Sequence, residues 1–203
     1  MIDARSFSEL EPGVVFGTAE RFAYSANDGA VDAVLAANLL SEAARVEGAN
    51  IRENCEVTAA TRLDDGMTEL ETSCGSIKVD DFVLATGADP EATQLLAGID
   101  IPQRSTPGVI VLTKPMPRLI NRIIVAPGVH IHQRHDGRIV LGEQDGAPDN
   151  AAHAERLRNR PNRFPDTMVA EQHAYRILGI AEQFVPGILD AEIEDVFIGW
   201  RPL

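Results

Sequence analysis

Side chains able to do chemistry gather in four places along the chain. The last eight residues read "VFIGWRPL", so Arg201 follows Trp200, the sole tryptophan, at the end of an apolar run. A guanidinium stays charged at any working pH and offers a planar fork that grips a carboxylate with two parallel hydrogen bonds. A solvated chain end would use the same residue. "HIHQRH" puts His130 and His132 on one face of a strand with His135 beyond. Imidazoles at that spacing can chelate a divalent metal, with Glu143 on the next strand as a possible carboxylate ligand, and ordinary surface or core histidines fit the pattern as well. In "FVLATGADP" an apolar run gives way to Ala85, Thr86, Gly87 and Ala88. Side chains this small let a backbone come very close to a ligand, and they equally suit a core strand with a tight exit. Arg156, Arg158, Arg160 and Arg163 crowd a polar connection, where a solvated loop explains them better than an anion site.

Several reaction classes have nothing to stand on. Cys55 and Cys74 match neither a disulfide framework nor a zinc site, which would need ligands at short paired spacings; neither has a base near it in sequence, and both read as ordinary core or strand thiols. There is no nucleophile elbow followed by an acid and a His in the order hydrolases use. The net charge of −13 is lopsided, since residues 1–100 carry 6 basic and 19 acidic side chains and residues 101–203 carry 12 of each. A phosphate backbone would be repelled by the first half, which argues against nucleic acid as a partner. No stretch approaches the roughly 20 apolar residues needed to span a bilayer, and "MIDARSFSELEP" lacks the features of a signal peptide, so cytoplasm is the expected compartment.

The elements that must position these residues are set by periodicity. "VDAVLAANLLSEAARVEGAN" predicts a helix capped by Asp32 and ended by Gly48, with Val34, Leu35, Leu39, Ala43 and Val46 as a stripe that should pack on a sheet. A β-meander comes next, with turns at "DDG" and "SCGS". "FVLAT" predicts a strand buried on both faces, then a helix capped by Asp89, opened by Pro90 and stopped by Gly98. Beyond residue 103 the pattern predicts an antiparallel sheet from "GVIVLTKP", "RIIVAPGVHIHQR", "RIVLGEQ" and "IEDVFIGWRP", with "HDG" as a hairpin turn. One helix near "TMVAEQHAYRILGIAEQF" should lie on it. The fold class expected is α+β, with a division near residue 100.

Taken in order, "SELEPGVV", "NDGAVDAVLAANLLSEAARVEGANIRENCEVTAATR", "GSIKVDDFVLATGA", "HIHQRHDGRIVLGEQDG" and "GWRP" resemble the FAD-dependent amino-acid oxidase family, which includes glycine oxidase and D-amino-acid dehydrogenase. The resemblance implies a partial FAD-binding α/β layer over 1–100 and an antiparallel substrate-domain sheet with a helix over 101–203. It implies that Val57 meets the adenine ring, that Ala85, Thr86, Gly87 and Ala88 flank the ribose and diphosphate of FAD, and that Arg201 pairs with the substrate carboxylate. By the same resemblance, the strand with His132 lies over the substrate cavity, and no metal is used there. The activity implied is oxidation of the C–N bond of an amino acid or secondary amine by hydride transfer to flavin.

Two departures stand out. The Gly-x-Gly-x-x-Gly turn that seats a dinucleotide diphosphate is absent, since no two of the 16 glycines stand two apart. The family's strand, Gly/His-rich turn and helix beyond Arg-Pro are also absent. The expectation is therefore an internal fragment of such an enzyme, binding FAD weakly or not at all by itself and completed by N- and C-terminal segments of the same fold. The alternative is a stand-alone, non-catalytic binding domain or an inert remnant.

Overall fold

The computed structural model describes residues 1–100, 102, 105–143, 155 and 157–202. These form two compact units that no single cut separates: Met1–Ala30 folds with Thr106–Trp200, and Val31–Ser105 forms the other, to which Arg201 and Pro202 are also assigned.

The first unit is a five-stranded sheet with a helix on it. Its strands are β6 (Ser105–Thr113), β7 (Ile124–Ala126), β8 (Val129–Gln133), β9 (Ile139–Glu143) and β10 (Ile193–Pro202), in the order β10-β6-β9-β8-β7. From β6 to β7 the neighbouring strands run antiparallel, with Ile131 opposite Leu141 and Val111 opposite Leu141 on the other side. The predicted "HDG" turn joins β8 to β9, where Arg134 N–H bonds to Arg138 O (2.8 Å) and Gly137 takes a φ of 87°. Alternation then decides the faces. Val129, Ile131, Ile139 and Leu141 are fully buried, while His130 and His132 between them are only half-buried. Helix α4 (Thr167–Glu182), capped by Asp166, covers the apolar face with Ala174, Ile177 and Ala181. Each fully buried branched side chain here contributes about 1.5–3 kcal/mol of transfer free energy.

The first thirty residues, which the sequence groups with residues 31–100, are tied to this unit instead. Helix α1 (Ala4–Leu10) is capped by Asp3, and the short strands β1 (Ile2–Asp3) and β2 (Arg21–Phe22) pair beside it. Phe7, Phe16 and Phe22 form an aromatic cluster, with the Phe7 and Phe22 rings stacked at 4.2 Å. Glu11 is buried to 2% exposure and accepts hydrogen bonds from Asn121 N–H (2.9 Å) and Arg122 Nη1 (3.3 Å).

The second unit holds α2 (Ala33–Val46), the meander β3 (Val57–Arg62), β4 (Thr68–Thr72) and β5 (Gly75–Val79), and α3 (Pro90–Ala97). Both helices are capped as predicted: Asp32 accepts from Leu35 N–H, Asp89 from Ala92 N–H, and Gly98 closes α3 in the left-handed region.

Two expectations for this unit are corrected. The stripe of α2 does not pack on a sheet: Val34, Leu35, Leu39 and Val46 are all exposed, and the helix buries no residue. Periodicity identifies an apolar face but not what covers it. "FVLAT" is not a strand covered on both faces either, because residues 81–86 are irregular and Val83 is 90% exposed. A doubly buried strand needs neighbours on each side, and no described strand lies beside this run.

Candidate functional site

Three of the residues singled out in sequence meet in the second unit. Val57, Ala85 and Thr86 line one cavity of about 360 Å3, together with Leu70, Phe82 and Leu96. The meander supplies one wall through Val57 at the start of β3 and Leu70 in the middle of β4. The irregular run before the Gly turn supplies another. Gly87 turns the chain at a φ of 64°, with open space where a Cβ would point, and Ala88 completes the turn into α3.

This turn is held by hydroxyls. Thr86 Oγ1 hydrogen-bonds to Thr93 Oγ1, whose own proton goes to Asp89 O (2.7 Å). Asp89 Oδ1 meanwhile caps Ala92 N–H at 3.1 Å. The start of α3 at the cavity edge is thus already served by a carboxylate, so it is no ready cradle for a phosphate. Apolar walls with Glu56 and Asp89 at the margin suit a flat heterocycle bearing hydroxyls. The donor set therefore fits the adenosine end of a dinucleotide and not its diphosphate.

Arg201 stands near the end of β10, just after Trp200, whose indole N–H donates to Pro161 O (3.1 Å). Its Nε is buried and makes no hydrogen bond among the described residues. A buried donor without an acceptor costs about 1–3 kcal/mol, more for a charged group, and an incoming carboxylate would recover it.

The histidines divide differently from the metal arrangement that the sequence left open. In the register of β8 and β9, His130 faces Gly142 and His132 faces Val140, while Glu143 faces Val129. Glu143 thus lies on the opposite face from both histidines, buried under α4 and ion-paired to Arg176. Among the described residues no cluster of three or more His, Cys, Asp or Glu could hold a metal ion. Burial, with smaller contributions from the charges of His130 and Arg134, holds the His132 imidazole below its ordinary pKa of 6.5.

The first unit has a larger cavity, about 630 Å3, between the start of α4 and β10. No residue singled out as a cofactor or substrate contact lies there. Most of its charged side chains are ion-paired: Asp195 with Arg163, Glu192 with Lys114 (2.5 Å) and Glu194 with Arg138 (2.6 Å). The Arg163 pairing also answers the arginine cluster in part. Arg158 pairs with Glu155, whereas Arg156 lies outside the described residues.

The bifunctional protein ThiO/ThiG of Synechocystis sp. is 28% identical over 180 residues, which are 87% of this chain and 24% of that protein. Glycine oxidase of Pseudomonas putida is 26% identical over 93 residues, 46% of this chain and 26% of that protein. Among solved structures, glycine oxidase from Geobacillus kaustophilus superposes with a TM-score of 0.75 at 25% identity, covering 97% of this chain and 49% of that one. L-proline dehydrogenase from P. horikoshii shares the fold with a TM-score of 0.81 at 20% identity, covering 98% and 51%. The chain thus spans about half the length of these solved structures and about a quarter of these two curated relatives. Residues 1–203 match the family described as DAO, FAD dependent oxidoreductase, and the chain belongs to that family.

Proposed function

We propose that this chain is the middle part of a cytoplasmic FAD-dependent enzyme that oxidises the C–N bond of an amino acid or secondary amine. The observation that carries the reading is the meeting of Val57, Ala85 and Thr86 in one cavity whose walls suit the adenosine end of FAD. Glycine oxidase, among the relatives, supports an amino-acid substrate.

Flavin, when bound, supplies the acceptor for the hydride leaving the substrate α-carbon. The residues of this chain bind and orient. Val57 and the turn from Ala85 to Ala88 hold the adenosine end, and Arg201 grips the substrate carboxylate through its unsatisfied guanidinium edge. His132, neutral at neutral pH, lines the substrate cavity without adding a second charge beside the amine. The units divide the work accordingly: 31–105 contributes to the cofactor layer, and 106–200 together with 1–30 to the substrate domain. Segments of the same fold on either side complete the flavin site, so the isolated chain binds FAD weakly and does not turn over.

The test is to read the coding sequence on both sides, express the complete protein and titrate it and the isolated chain with FAD by fluorescence quenching. Anaerobic bleaching of the flavin by glycine, sarcosine, proline or a D-amino acid is the expected result for the complete protein. A complete protein that takes up no flavin, and is unchanged by any amino acid or amine, would sink this reading in favour of a non-catalytic binding domain.

A further inference from the structure

Cys55, two residues before β3, and Cys74, in the turn between β4 and β5, come together where that turn meets the approach to β3. Val57 is the Cα partner of Thr72, and the next pair outward is joined by Ser73 N–H to Glu56 O (2.9 Å) and Glu56 N–H to Ser73 Oγ (3.0 Å). Beyond that pair, Cys74 Sγ hydrogen-bonds to Asn54 O at 3.9 Å, beside Cys55 in the chain.

Thr72 organises the two thiols. Its hydroxyl donates to Gly75 O (2.5 Å) and accepts from Cys74 N–H (3.1 Å), and Cys55 Sγ hydrogen-bonds to the same oxygen at 3.5 Å. Both cysteines are free thiols, with Cys55 half-buried and Cys74 exposed.

We propose that Cys55 and Cys74 form a reversible intramolecular disulfide, a redox modification site at the open end of the β3–β4 hairpin. Hydroperoxide is the oxidant. One thiolate attacks H2O2 to give a sulfenic acid and water, and the second thiol then displaces the hydroxyl as a second water. In total two thiols and one H2O2 become one disulfide and two waters, the sulfurs losing two electrons that the peroxide gains.

The two thiols titrate as one interacting pair, one lowered and the other raised, and whichever ionises first is the attacking group while its neighbour resolves the sulfenic acid. Closure pins the strand end from which Glu56 and Val57 line the cavity. Any consequence for cofactor binding rests on the proposed function above; the bond itself does not.

The test treats the full chain with substoichiometric and then equimolar H2O2 under denaturant-free conditions, with thiol titration and intact mass as readouts. The expected result is a fall from two titratable thiols to none, a mass loss of two hydrogen atoms and full reversal by dithiothreitol. The tryptic peptides beginning at Glu53 and Leu63 should be joined. In Cys55→Ser and in Cys74→Ser, the sulfenic acid at the remaining thiol should persist and be trapped by dimedone. Oxygen additions without cross-linking, or disulfides only between two chains, would each overturn the proposal. All of these readouts are independent of flavin, so a failed cofactor reading would leave them intact.

Discussion

The His130 ring lies directly over Gly142 on the neighbouring strand, so close that a Cβ at 142 would fall 1.8 Å from His130 Cε1 and 2.1 Å from Nε2. Glycine at 142 is therefore required by its neighbour and not by its own backbone angles. Gly142→Ala must drive the imidazole off this seat, and because the ring is half-buried and can turn about its side-chain torsions the cost should be about 1 kcal/mol, at the low end for overpacking. His132, whose pKa is held down by burial and in part by His130, should respond too. The expected outcome is a lower midpoint in urea together with altered histidine resonances for both rings. Unchanged His130 resonances in Gly142→Ala would contradict the contact.

Glu143 is buried to 3% side-chain exposure beneath α4, with Arg176 as its ion-pair partner. One of its oxygens, Oε2, has no hydrogen bond among the described residues. Arg176 is itself 44% exposed, so water screens part of the pair, and Arg176→Ala should cost about 1 kcal/mol or somewhat more. Replacing both partners by Leu should recover most of that loss, because the desolvation cost goes with the pair. Urea denaturation of the two variants decides it: a double variant no more stable than Arg176→Ala would count against the buried-pair account.

Much of this was legible in sequence because local rules decided it. The caps at Asp32 and Asp89, the stop at Gly98 and the turn at Gly137 depend on a few adjacent residues, and all appear as expected. What sequence missed depends on partners far along the chain. The α2 stripe announces an apolar face but not its cover, and residues 81–86 read as a strand although no described strand pairs with them. Glu143 looked like a companion to the histidines until the β8–β9 register sent it to the opposite face. Cys55 and Cys74 read as ordinary thiols in sequence. The β4–β5 turn meets the approach to β3, and that long-range contact, which no local pattern encodes, puts them together.

The pH dependence of His132 has a definite sign. Its folded pKa lies below 6.5 because burial disfavours the cation, while the unfolded chain titrates near 6.5. Below that pH the unfolded state binds more protons, so the contribution of His132 is intact above about 6.5 and is lost as pH falls through the folded value. His132→Gln should flatten this part of the stability curve between neutral pH and the acid limb set by carboxylates. Equilibrium unfolding of both proteins across that window is the measurement, and identical slopes would remove His132 as the cause.

Arg201 makes the most direct claim on function, and its prediction can separate orientation from folding. A buried Nε without an acceptor means that losing the guanidinium forfeits no hydrogen bond of that atom in the free protein. Arg201→Lys keeps the charge but loses the fork, so in the complete enzyme it should weaken substrate binding while leaving flavin content and the thermal midpoint close to those of the parent. A charge-assisted hydrogen bond contributes about 1.5–3 kcal/mol, which is roughly ten- to a hundredfold in kcat/KM. The loss should appear for substrates with a carboxylate and should shrink for the corresponding amines without one. Equal losses for both kinds of substrate would mean that Arg201 supports the fold or the cofactor and does not bind the carboxylate.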